Sequence, residues 1–289
     1  MRFDRNRLTL IILSFLPIFI GAILSWSVIS SASIGQIISE SRNFTLLELI
    51  IMGVVQSVLG VFVVLTLFYL LSRKSRGVQK IAVAFIVSPI LFLVYLFLGQ
   101  SILILLFKGT NDPFQGVLLV LTLGISILSI VLIMIDAIAP TIRNLFVAFY
   151  GSTFGTFLGL TTVTASMSIL IFSLIVEDFF LTKYNPIVED ERMDSKIGSD
   201  PFDYTRIESE SIVIGVGDFV AFSLIAAHSV AYFPLFVTAL SILMMFAGII
   251  INITILSKEG EILPAIPLPA ILAVVPWFLY ITSYYALGG

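Results

Sequence analysis

Residues 81–107 read IAVAFIVSPILFLVYLFLGQSILILLF, 27 residues without a charge. As an α-helix rising about 1.5 Å per residue, this run is about 40 Å long, more than the roughly 30 Å of hydrocarbon in a bilayer. The apolar residues follow one another with no alternation of period two, so a helix is expected rather than a barrel strand. Polar punctuation divides the rest of the chain in the same way. It leaves nine apolar stretches at 8–31, 46–71, 81–107, 114–135, 142–160, 162–184, 211–231, 233–256 and 263–286. The expected fold class is therefore an all-α polytopic membrane protein with nine transmembrane helices. Two connections should be very tight turns: Gly159 to Thr162, and Tyr232 to Pro234.

Composition agrees. Of 289 residues, 59% are hydrophobic and 11% charged, and 25 are Phe. A soluble domain carries about 25% charged residues, so a water-soluble globular protein is excluded. A net charge of −3 supplies no basic face for nucleic acid. There is no Cys, which removes disulfides, thiolate nucleophiles and Cys-ligated metals. The single His, His228, argues against a His-based zinc centre and a Ser-His-Asp triad. No metal and no cofactor is expected.

Lys and Arg set the orientation. With the N-terminus inside, 13 of the 15 basic residues fall on the inner side and only Arg42 and Lys108 on the outer. A miscounted span would scramble this sorting. The N-terminus is expected to be cytoplasmic, the C-terminus external, and the protein to reside in the cell membrane. Arg2, Arg5 and Arg7 before an apolar run imitate a signal peptide. A run of about 24 residues is too long for a signal h-region, so a retained first span is expected. Trp26, Tyr232, Tyr284 and Tyr285 then fall at outer ends, as interfacial aromatics do.

The longest polar connection, 185–210, holds eight acids and three bases. It reads as a solvated cytoplasmic loop, or more sharply as a lid or substrate-docking segment. It divides the chain into spans one to six (1–184), the loop, and spans seven to nine (211–289). Gly151, Gly155 and Gly159 share one face of the fifth span, a device for close helix packing.

Ionisable groups inside spans are costly and point to function. Glu48 and Asp136 lie near span ends and can reach water. Glu177, Asp178 and Asp218 are deeper. Asp178 lies six residues before Tyr184, and Asp218 seven after Ser211, on antiparallel neighbours. Both depths come to about 9–10 Å from the cytoplasmic side. Two carboxyls a few ångströms apart do not readily both ionise, so such a pair shares a proton. That is the working arrangement of aspartic proteases. Gly215 and Gly217 precede Asp218 and are expected to allow close backbone approach and to loosen the helix. Pro264, Pro267 and Pro269 open the ninth span. Their missing N–H groups favour extended backbone with free carbonyls, tolerable only beside a wet cavity.

At these residues the chain resembles the presenilin and signal peptide peptidase family, the G-x-G-D intramembrane aspartyl proteases, and is most similar to its microbial, archaeal homologues. The family's seventh-span motif stands here as Gly215-Val216-Gly217-Asp218-Phe219. Its Pro-Ala-Leu-Pro motif stands as Pro264-Ala265-Ile266-Pro267, and its sixth-span Tyr-Asp as Glu177-Asp178. The resemblance implies that Asp178 and Asp218 are the catalytic pair and that residues 264–267 help form the active site and position substrate. It also implies that transmembrane helices of other proteins are the substrates. Glu177 departs from the family's Tyr and brings a third acid, a modulator of the dyad or a partner to another polar group. The cytoplasmic N-terminus is presenilin-like and implies substrates with an external N-terminus. Two rival readings use the same acids: a prepilin- or preflagellin-type peptidase, and a proton- or cation-coupled transporter or channel. His228, about 15 Å beyond Asp218 along its helix, is too far to serve the dyad and is expected to make an interhelical hydrogen bond.

Overall fold

Proline and glycine decide where the helices of this chain stop. In the computed structural model, which describes residues 5–31, 44–73, 76–107, 114–135, 139–184, 206–209, 212–256 and 264–286, nine α-helices follow one another. They are α1 (Arg5–Ser30), α2 (Leu46–Arg73), α3 (Arg76–Leu106), α4 (Gln115–Ile135), α5 (Pro140–Thr161), α6 (Thr164–Tyr184), α7 (Val216–Tyr232), α8 (Leu235–Ile251) and α9 (Pro267–Ala286). Asp136 and the segment 185–205, with most of the acidic loop, lie outside the described residues.

Among the described residues, five helical stretches are long and apolar enough to cross a membrane: Leu8–Ser30, Gly77–Leu106, Gln115–Ile135, Leu235–Leu256 and Pro267–Ala286. Large apolar side chains such as Phe62, Leu121 and Leu235 stand exposed on the outside of the bundle, which fits a lipid solvent. The fold is that of an all-α membrane protein.

Both tight turns occur. α5 and α6 are joined by Thr162 and Val163 alone, and α7 and α8 by Phe233 and Pro234. Phe233 is extended (φ −123°, ψ 154°), as a residue before proline prefers to be, and this ends α7. The start of α2 is fixed by a capping box. Thr45 N–H donates to the Glu48 carboxylate at 2.7 Å, and Glu48 N–H donates to the Thr45 hydroxyl at 3.3 Å. Glu48 is thus a capping residue at an exposed end.

One element departs from the expected spans. Residues 206–209 and 212–215 form an antiparallel hairpin, β1 (Arg206–Ser209) with β2 (Ile212–Gly215), in the register Ile207↔Ile214 and Arg206↔Gly215. The seventh helix therefore begins at Val216, not near Ser211. Ile212-Val213-Ile214 is a β-branched run suited to a pleated, half-buried surface. Ile207 and Ile214, opposite each other, are both buried in one apolar cluster with Val83 and Val87 of α3 and Val147 of α5.

α7 is the centre of the bundle. Phe219 and every residue from Ala221 to Ser229 are buried, the pattern of a helix enclosed on all sides. α5 reaches it through the glycine face expected from the sequence. A Cβ on Gly151 would lie 2.7 Å from Val216 Cγ2, and one on Gly159 2.5 Å from the Leu224 carbonyl oxygen. At Gly155 it would collide with the Val220 carbonyl and the Ser223 hydroxyl. On another side Gly21 brings α1 against the Ser223 backbone, and the Ser25 hydroxyl donates to the Ala227 carbonyl at 2.9 Å. Contacts through small residues and hydroxyls replace the hydrophobic drive that lipid cannot supply.

Gly155→Ala is expected to lower stability in detergent by about 1–3 kcal/mol, the usual penalty for overpacking, read as a fall in Tm. Gly60→Ala, where a Cβ meets nothing within 4 Å, should leave Tm level or raise it. Equal melting of Gly155→Ala and the wild type would show that α5 and α7 do not meet backbone to backbone.

Candidate active site

Three elements meet around two carboxyl groups. α6 carries Asp178, six residues before its C-terminal end at Tyr184. The β2–α7 junction carries Asp218. The non-helical segment Pro264–Ile266, ahead of α9, supplies backbone.

Asp218 sits in the first turn of α7. The early strand changes its setting from the one expected, since no full helical turn precedes it. Gly215 is the N-cap (φ −71°, ψ 150°), and its backbone N–H donates to the Asp218 carboxyl. This is the reciprocal half of a capping box, at the helix end that favours negative charge. Gly215 and Gly217 are exposed, and among the described residues a Cβ on Gly217 would meet nothing within 4 Å. Among the described residues, the close backbone approach expected at Gly217 is not met. Its missing side chain instead leaves open space beside Asp218. The tight approach onto this helix is made from the opposite partner, by the α5 glycines.

Asp178 faces the proline segment. Ile266 N–H donates to its Oδ2 at 2.9 Å, and the Ala265 N–H and the Thr182 hydroxyl also hydrogen-bond to the carboxyl. Thr182 is one turn further along α6, a spacing at which side chains on a helix meet; the Asp-x-x-x-Thr pattern was there to be read in the sequence. Asp178 and Asp218 interact electrostatically. The structure thus brings together the two acids and the Pro264–Ile266 backbone that the sequence singled out.

The proline segment divides differently from the expectation. Pro264, Ala265 and Ile266 are non-helical, but Pro267 and Pro269 occupy the first turn of α9. There a missing N–H loses nothing, because first-turn donors have no helical partner. The Ile266 side chain is buried in the core with Met167, Leu170 and Ala270, so the residue is anchored by its side chain while its N–H reaches Asp178.

Glu177 points elsewhere. Successive helical residues differ by about 100° in direction, and Glu177 lines a cleft of about 430 Å³ between α2 and α6 with Val54, Val61, Phe172, Val176 and Phe180. Its carboxyl is hydrogen-bonded by the Ser173 hydroxyl. His228 is buried at the other end of α7. Its Nδ1 meets the Gly159 carbonyl at 2.9 Å and its Nε2 the Thr164 hydroxyl at 3.1 Å, with the ring stacked on Tyr232. A carbonyl only accepts, so Nδ1 carries the proton. The expected interhelical hydrogen bonds are present. Among the described residues no three His, Asp or Glu side chains gather as metal ligands would.

No protein-family model matches the chain, and no curated protein matches it significantly in sequence.

Gly217→Ala is expected to keep or raise Tm, because Ala gives up about 0.4–1 kcal/mol less backbone freedom than Gly on leaving the unfolded chain and no described residue obstructs the methyl group. A Tm fall of several degrees would mean that Gly217 packs against backbone after all.

Proposed function

We propose that this chain is an intramembrane aspartyl protease that hydrolyses peptide bonds within transmembrane segments of membrane-protein substrates. The observation that carries this reading is the meeting of Asp178 with Asp218 and with the backbone donors of Ala265 and Ile266. Two interacting carboxyls inside an apolar bundle are costly. Such a pair earns its place by sharing a proton. The motif resemblance to the G-x-G-D proteases supports the same conclusion.

In the proposed reaction one carboxyl is ionised and the other protonated. The ionised group takes a proton from a water molecule, whose oxygen forms a bond to the scissile carbonyl carbon. The protonated group gives its proton to the carbonyl oxygen as that oxygen gains charge. A proton then passes to the leaving nitrogen, the C–N bond breaks, and a carboxylic acid and an amine result. The open space at Gly215 and Gly217 gives water a route to Asp218. The extended backbone of β2 leads into Asp218, and the bent, non-helical backbone of Pro264–Ile266 lies against Asp178; together they suit a substrate whose helix has unwound locally.

All nine helices are proposed to cross the membrane in a presenilin-like arrangement, with a cytoplasmic N-terminus, an external C-terminus, and cleavage near the cytoplasmic side. Substrates then have an external N-terminus. The catalysis uses no cofactor.

The test is cleavage of a transmembrane substrate in reconstituted vesicles. Asp178→Asn and Asp218→Asn are each expected to reduce the rate by at least about 100-fold, the scale of lost acid–base catalysis. A transition-state analogue of aspartic proteases should bind the wild type. Wild-type cleavage by either variant would overturn the assignment. Ion flux that depends on the two acids, without cleavage, would favour a transporter or channel.

A further inference from the structure

We propose that Asn252 is a positioning residue for this reaction: its side-chain amide holds the carbonyls of Pro264 and Ala265 so that the N–H groups on the far side of the same peptide units stay aimed at Asp178. The inference rests on the proteolytic reading above.

α8 does not end cleanly. Its last residues widen into a π-turn over Asn252–Leu256, a rare geometry found often at functional sites. Asn252, at the start of that turn, is only 7% exposed. Its Nδ2 donates to the Pro264 carbonyl at 3.1 Å and to the Ala265 carbonyl at 3.2 Å. These two oxygens lie ahead of α9, whose first backbone bond runs from Ala270 N–H to the Ile266 carbonyl at 3.0 Å. They need donors from outside the helix, since buried backbone oxygens in a membrane protein must be met internally.

Peptide planarity makes the arrangement directional. The Pro264 carbonyl and the Ala265 N–H belong to one rigid trans unit and point opposite ways, as do the Ala265 carbonyl and the Ile266 N–H. Asn252 holds the oxygen side of both units, and Asp178 takes the nitrogen side of both. Pro264 and Pro267 have no N–H, so Ala265 and Ile266 are the two backbone donors available between residues 264 and 267. The amide thus sets the direction of both, although it touches neither carboxyl.

Asn252→Leu keeps the volume and loses both donors; Asn252→Asp keeps the shape and puts an oxygen in place of the donating nitrogen. In reconstituted vesicles both are expected to lower kcat by about 10- to 100-fold with KM within about twofold, the effect of small misplacement rather than lost binding. Tm should not fall in step. Asn252→Gln, which keeps the amide, should recover part of kcat. Leu and Asp variants that cut within twofold of the wild type would overturn the proposal, as would losses that track Tm across all three. A second measurement does not depend on cleavage. The chain has no Cys, so Ala265→Cys is a unique label for the segment. Adding Asn252→Leu should raise its modification rate by a water-soluble maleimide several-fold. An unchanged rate would overturn the clamp whether or not any variant cuts. A wild type that cuts no transmembrane substrate would instead overturn the protease reading, with the labelling rate still deciding the clamp.

Discussion

The backbone contact between α5 and α7 is the constraint on which the other positions depend. Lipid offers no hydrophobic incentive for two apolar helices to associate, so closeness must come from small residues and complementary shape. Gly151, Gly155 and Gly159 let α5 lie directly on the Val216–His228 face of α7. That contact holds α7 from its first turn, where Asp218 stands, to His228, twelve residues further on than Val216. The buried imidazole then joins the far end of the same contact to the α5–α6 turn through Gly159 and Thr164. With α7 fixed along its whole length, α6 returns antiparallel from a two-residue turn, and the level at which Asp178 can sit is set by helix geometry.

What surrounds the acids follows from the same scarcity of water. A carboxyl in such a place needs donors, and each donor here comes from an element that has a reason to end nearby. α7 begins after a strand, which frees the Gly215 N–H for Asp218. α9 begins only at Pro267, the second of two prolines bracketing Ala265 and Ile266, which frees those two N–H groups for Asp178. Helix termini carry unsatisfied backbone groups by construction. In this bundle two termini are placed where the acids can use them.

Much of this was legible in the sequence. The apolar runs gave the helices and both tight turns, since a Pro after Phe233 stops a helix for a local reason. The three-glycine face gave a close-packing surface on α5, because a spacing of four is a property of one helix alone, but it did not name α7 as the partner. Asp178, Asp218 and the prolines drew attention because charges and missing donors are conspicuous among apolar residues. The hairpin was less legible. Ile212-Val213-Ile214 looks like the start of any transmembrane helix when read beside the apolar residues that follow, and its partner strand lies in a charged segment. The role expected for Gly217 failed for a related reason. Composition shows that a side chain is missing, but only the position of the neighbours shows whether backbone or open space takes its place. Asn252 was silent because one amide in an apolar span has no local signature. Its partners lie more than ten residues away, across a connection that only the fold closes.

The choice of donors on Asp178 bears on chemistry. An Arg or Lys in the place of the Ala265 and Ile266 N–H groups would orient the carboxyl equally well. It would also add a positive charge that favours ionisation of both acids, and a pair that is fully ionised cannot supply one base and one acid at once. Backbone N–H groups orient through dipoles and add no net charge to the site. Side-chain amides share that property, which is why an Asn suits the far side of the same peptide units. Asp178 is thus held by two backbone N–H groups and the Thr182 hydroxyl, none of them a cation, and in the proposed reaction such a set orients the carboxyl without favouring ionisation of both acids.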